Sequence, residues 1–196
     1  MASTLRLELP RDTRLQVTPE QFIPLAAANP NLRLERNANG ELIVMPPTGG
    51  ESGQRNFSLI GQLAAWVASH PDLGEGFDSS TGFLLPNGAI RSPDVAWVRR
   101  HRWESLTPEQ RRGFPPLCPD FVIELGSASD DLAPLQAKMQ EYVSQGTELG
   151  WLINPQQRQV EWYSADSEME VLNHPLELSG EPVLPGFRLQ LSRIWG

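Results

Sequence analysis

Pro119-Asp120-Phe121-Val122-Ile123-Glu124-Leu125-Gly126-Ser127 is a short apolar run with an acid set inside it. Its density of branched and aromatic residues reads as a central β-strand. Strand alternation sends Phe121, Ile123 and Leu125 to one face and Asp120, Val122 and Glu124 to the other. A carboxylate in mid-strand is costly to bury unless it is paired, hydrogen-bonded or bound to metal. Taken alone, Glu124 fits a salt bridge or a strand end rising to solvent just as well.

The following element narrows the choice. After the Gly126-Ser127-Ala128-Ser129 loop, Asp131 to Gln145 reads as a helix, with Pro134 in its first turn and Gly146 as its stop. Leu135, Met139 and Tyr142 form its apolar stripe, and Lys138 falls inside that stripe. Lysines are rarely buried, so this one must snorkel to the helix edge or meet a buried negative group. An acid on an apolar strand and a lysine on the next helix's apolar face account for each other. Upstream, Asp94 enters a second apolar strand, Val95-Ala96-Trp97-Val98, directly after Pro93.

Further out, Thr18-Pro19-Glu20 opens a short helix to Ala28, with threonine as cap and proline in the first turn. Leu32 to Arg36 and Glu41 to Met45 flank Asn39-Gly40, a strong hairpin signal. A helix from Glu51 to Ser69 carries Phe57, Ile60, Leu63, Ala64 and Val67 at helical spacing, which predicts one face on a sheet. Gly82 to Leu85 reads as a strand, and Thr107-Pro108-Glu109 as a short helix start. Strands follow at Leu149 to Ile153, Gln159 to Tyr163, Met169 to Leu172 and Phe187 to Leu191. The simplest assembly is one mixed sheet flanked by two main helices, an α/β (α+β mixed) fold with an N-terminal hairpin and extra C-terminal strands.

With 196 residues, 39% of them hydrophobic, the chain suits one soluble domain over residues 1–196. No run is long and apolar enough to span a membrane, and Met1 to Pro10 lacks a signal peptide's apolar core. The single cysteine, Cys118, excludes an intrachain disulfide and a cysteine-rich zinc site, so a cytoplasmic location is expected. A net charge of -8 argues against binding nucleic acid through an extended basic face. It is compatible with a carboxylate metal site.

Other candidates have ordinary readings. His70, His101 and His174 lack metal-ligand spacing and read as loop residues. Arg99, Arg100, His101 and Arg102 form a basic run that reads first as a solvated turn. Asp120 reads first as a turn or strand-entry residue. Ser127 and Ser129 read as loop and capping hydroxyls, with no histidine near to activate them. Trp97, Trp151 and Trp162 read as core or interface residues, and the aromatic-rich C-terminal half suggests a homodimer or higher homo-oligomer. Glu51, at the start of the long helix, suits the helix dipole and fits capping as well as chemistry.

Taken in order, several segments resemble the Uma2 family, also called DUF820. These are Ser92-Pro93-Asp94-Val95, the segment 119–127, Lys138 with Tyr142, and Trp151-Leu152-Ile153-Asn154-Pro155. Gly40-Glu41-Leu42 and Met45-Pro46-Pro47 are similar to that family's opening, and the resemblance spans about residues 20–165. It implies a restriction-endonuclease-like PD-(D/E)XK core, a carboxylate-bound divalent metal and a nuclease activity on nucleic acid, DNA first. On this resemblance Asp94 is the signature aspartate and Glu124 the second acid. Glu51 is similar to the first-helix acid of many such nucleases. Gly126 stands where the pattern places lysine, and Lys138 would supply that ammonium from the helix.

These groups suit metal-assisted phosphodiester hydrolysis. Mg²⁺ or Mn²⁺ prefers hard oxygen ligands, for which Asp94, Glu124 and the Leu125 carbonyl are the candidates. Lys138 would orient water or stabilise developing charge. The alternatives are a catalytically silent binding or assembly module and a hydrolase of smaller phosphoesters.

Overall fold

The computed structural model describes residues 14–127 and 131–196. Readings that fall on residues 1–13, and on Ser129 as a cap, lie outside the described residues. In chain order the first elements are α1 (Pro19–Ala28), β1 (Arg33–Arg36), β2 (Leu42–Met45), α2 (Gly50–Ser69), β3 (Gly74–Asp78), β4 (Phe83–Leu84), β5 (Ile90–Arg91) and β6 (Val95–Arg99). Then come α3 (Arg100–Glu104), α4 (Pro108–Arg112), β7 (Phe121–Leu125), α5 (Leu132–Ser144), β8 (Leu149–Asn154) and β9 (Gln159–Ser164). The chain closes with β10 (Ser167–Asn173), β11 (Glu177–Ser179), β12 (Arg188–Gln190) and α6 (Ser192–Trp195).

Local signals set these boundaries. The Thr18 and Thr107 hydroxyls accept from the Gln21 and Gln110 N–H groups, and both glutamines reach back to the cap, starting α1 and α4. Gly40 takes φ 86° in the turn joining β1 and β2, a conformation that favours glycine. The Asp131 carboxylate caps α5 by accepting from the Ala133 N–H.

The main sheet has six strands in the order β10-β9-β8-β7-β6-β3. Its pairs are antiparallel except β7–β8, which is parallel and therefore needs a crossover. α5 is that crossover, so β7, α5 and β8 form one βαβ unit. The alternation read from β7 holds. Phe121, Ile123 and Leu125 pack with Leu59, Leu63 and Trp66 of α2, and with Leu184 and Phe187 of the C-terminal segment. Val122, on the other face, packs with Met139 and Tyr142 of α5. Gly150 of β8 lets α5 sit close, because an added Cβ would fall 2.5 Å from Met139 Cε. The fold is a mixed α and β architecture with helices on both sheet faces.

Three details depart from the expected pattern. The structure has smaller sheets besides the main one, β2-β1-β5-β4 and β11-β12. The hairpin does not join the main sheet, because β1 pairs with β5 at Arg36 and Ile90. On α2 the buried residues are Leu59, Leu63 and Trp66, whereas Phe57 is 79% exposed. Of the expected stripe, Leu63 is buried and Ile60 and Val67 are partly buried against the same core, while Ile60, Ala64 and Val67 also line a groove over β3. β3 itself, Gly74-Glu75-Gly76-Phe77-Asp78, carried little strand propensity and forms as an edge paired with β6.

Among the described residues, β1 and β2 supply no member of the two hydrophobic clusters. No helix among the described residues is long and apolar enough to cross a membrane.

Candidate active site

β6 and β7 run antiparallel with Val95 opposite Ile123, so Asp94 comes level with Glu124. The Leu125 N–H donates to Asp94 Oδ2 at 3.0 Å. Glu124 points from the same strand towards α5, where Lys138 Nζ lies 2.7 Å from Glu124 Oε1. The Tyr142 hydroxyl, one turn further along α5, donates to the same oxygen at 3.1 Å. Among the described residues, no hydrogen bond reaches Glu124 Oε2. Asp94, Glu124, Leu125 and Lys138 all line one cavity of about 280 Å³, whose rim includes Arg33, Thr48, Ser52 and Asn56.

Lys138 has a second carboxylate partner. Glu35 Oε1, from β1, lies 2.8 Å from Lys138 Nζ. Glu35 is fixed at both oxygens: Oε1 also accepts from the Ser92 N–H at 2.9 Å, and Oε2 meets Arg91 Nη1 at 3.1 Å. Arg91 in turn donates through Nε to Glu141 of α5 at 2.6 Å. Glu35, Glu124, Lys138 and Arg91 are all buried.

Such burial is tolerable only because the charges are mutually compensated. Burial opposes the charge on Lys138, yet Glu124 and Glu35 hold its pKa above the ordinary lysine value. Burial also opposes the charge on Glu35, but Lys138 and Arg91 keep its pKa below the ordinary value. Glu124 carries the residual strain. Burial outweighs Lys138, and Asp94 and Glu35 add repulsion, so its carboxyl is pushed up to about 7. Burial raises Asp94 as well, against the Leu125 N–H and Lys138.

The two glutamates therefore act oppositely on stability. Glu124 binds its proton more readily when folded, so its contribution is full below its ordinary value of 4.5 and is lost as pH rises through about 7. The contribution of Glu35 is present above its ordinary value and is lost only as pH falls through its depressed one. In metal-free protein, the unfolding free energy of wild type should fall relative to Glu124→Gln between about pH 5 and pH 8. Urea titrations across that range check it, and a flat difference contradicts the assignment.

The structure thus brings together Asp94, Glu124, Leu125 and Lys138, and leaves Glu51 apart. The Glu51 carboxylate is 83% exposed in the first turn of α2 and pairs with Arg55 at 3.4 Å. Asp120 lies at the other end of β7. It is buried, accepting from the Arg99 N–H and from Arg102 Nη1, both at 2.8 Å. The basic run is tied up the same way: Arg99 also pairs with Glu148, and Arg100 with Glu75. Trp97 and Trp151 are core residues. His70 stacks on Trp66, and His101 and His174 are exposed.

Glu35, Arg91 and Arg33 were not read from the sequence as parts of the cluster, and Tyr142 was read as apolar stripe and as part of the family resemblance, with no role in the site. Glu35 lies in a short strand with charged neighbours, and no local pattern announces a partner 103 residues away.

The donor set bears on a metal. Among the described residues, no group of three or more histidine, cysteine, aspartate or glutamate side chains converges as a full cage. The cavity instead offers Asp94 and Glu124 beside Leu125. Two carboxylates with the balance from water is the environment Mg²⁺ favours, so the residues fit a hydrated hard cation and not a zinc or calcium cage.

The same architecture occurs in a crystal structure described as "a putative nuclease belonging to DUF820" from Anabaena variabilis. The match has a TM-score of 0.75 at 19% sequence identity, covering 91% of this chain and 97% of that one. Residues 19–192 match the Uma2 family, described as "Putative restriction endonuclease". The chain belongs to the Uma2 family. No curated protein matches it.

Proposed function

We propose that the protein is a divalent-metal-dependent endonuclease that hydrolyses phosphodiester bonds in nucleic acid, with DNA as the first substrate to test. The observation that carries this is the convergence of Asp94, Glu124 and Lys138 on one cavity, in a chain of a family described as "Putative restriction endonuclease". Asp94 and Glu124 would hold Mg²⁺ or Mn²⁺, with the Leu125 carbonyl as a third oxygen. When bound, such an ion lowers the pKa of water and neutralises charge on a phosphoryl oxygen.

The protein's own groups do the rest. Lys138, kept charged by its two carboxylates, donates hydrogen bonds to the attacking water or to the phosphoryl oxygens as negative charge builds there. Tyr142 fixes the rotamer of Glu124 through its hydroxyl. Among the described residues, the ion pair of Arg33 on the cavity wall is a 3.8 Å contact to Asp94 Oδ1, loose enough to leave its charge available to a phosphate.

Purified protein incubated with plasmid DNA and with RNA, plus Mg²⁺ or Mn²⁺, should cut at least one of them, and EDTA should stop it. Cleavage that survives unchanged in an Asp94→Asn variant overturns the site. Tight Mn²⁺ binding without cleavage of either polymer would favour the silent binding module.

A further inference from the structure

We propose that Glu35 is a positioning residue: it is the counter-charge that keeps Lys138 in place when Glu124 gives its own charge to a cation. The inference rests on the metal site proposed above.

Lys138 lies between two carboxylates at nearly equal distance, 2.7 Å from Glu124 and 2.8 Å from Glu35. The two are not equivalent. Glu124 lines the cavity, and both of its contacts fall on Oε1. Glu35 is not among the cavity-lining residues, and the Ser92 N–H and Arg91 tie down both of its oxygens. One carboxylate is thus presented to a ligand, and the other is bound into the body of the protein.

A cation taking the charge of Glu124 would otherwise strand a buried ammonium, a costly state. Glu35 removes that cost. It also fixes Lys138 on the cavity wall, with the Ser92 carbonyl 3.5 Å from Nζ, so that the N–H facing Glu124 is the one left for a ligand. Glu35 sits on the hairpin, 103 residues from Lys138, so the arrangement depends on tertiary docking and not on the βαβ unit alone.

The test is calorimetric titration of MnCl₂ into wild type, Glu35→Gln, Glu141→Gln and the Glu35→Gln/Lys138→Met double variant, with folding checked by circular dichroism. Glu35→Gln should weaken Mn²⁺ binding about tenfold or more, the scale of losing a group that supports a metal ligand. The double variant should regain most of that affinity, because no ammonium is left to compete for Glu124. Glu141→Gln, which removes a nearby carboxylate that pairs with Arg91 and Asn87 rather than Lys138, should change little.

Wild-type affinity in Glu35→Gln, no recovery in the double variant, or an equal loss in Glu141→Gln each overturns the proposal while leaving the metal site standing. Failure of wild type itself to bind Mn²⁺ overturns the metal site and the proposal with it. Should Glu35→Gln not fold, Glu35→Asp retains the charge at shorter reach. A smaller loss of affinity is then expected, and none would overturn the proposal.

Discussion

Glu124→Gln is expected to lower Mg²⁺-dependent cleavage by on the order of 10²–10³-fold, with far-ultraviolet circular dichroism unchanged. The substitution keeps the shape of the side chain and its place on the most buried strand, but removes the charge a cation would require. It also lifts the repulsion that Asp94 and Glu35 exert on this position. The variant should therefore be no less stable than wild type near pH 8. A stable protein that has lost both cleavage and Mn²⁺ binding separates a role in chemistry from a role in folding. Cleavage within a few-fold of wild type would remove Glu124 from the reaction.

Lys138→Met has the largest expected effect on stability. Lys138 is the shared partner of two buried carboxylates, and removing it leaves Glu124 facing Glu35 and Asp94 with, among the described residues, the Tyr142 hydroxyl in compensation. Breaking a buried pair from one side costs about 3–5 kcal/mol. The loss should be greater at pH 8 than at pH 5, because Glu124 can take a proton at the lower pH while Glu35 keeps Arg91 and the Ser92 N–H. Adding Glu124→Gln to Lys138→Met should recover much of the difference, since the two positions are in contact and their effects are not additive. Urea unfolding of the four proteins measures this coupling. Strict additivity would mean that the pair contributes nothing.

The central part of this arrangement was legible in the sequence because it is local. Glu124 and Lys138 sit in one βαβ unit, and strand and helix periodicities each mark one side chain as out of place on an apolar face. Asp94 could be added because it enters an apolar strand after a proline. Glu35 and Arg91 were not legible, since their strands are short and polar and their partners come from distant segments. Glu51 is the opposite case: an acid in a first helical turn has a sufficient local reason to be there, and the structure shows its carboxylate exposed and paired with Arg55. The sheet count failed for a related reason. Periodicity identifies strands but not partners, and two-residue strands such as β4 and β5 decide which sheet the hairpin joins.

The hairpin's mode of attachment has a further consequence. Among the described residues β1 and β2 stand outside both hydrophobic clusters, so they are held by the pairing of β1 with β5, by Glu35 and by Arg36, whose guanidinium donates to the carbonyls of Val17 at 2.6 Å and Gly88 at 2.5 Å. Segments joined to a core by polar contacts open at lower free energy than strands buried within it. The backbone amides of β1 and β2 should therefore exchange with solvent through a local opening that leaves β7 and β8 protected. Each such opening withdraws Glu35 from Lys138, so the charge arrangement at the cavity lasts only as long as the hairpin stays closed.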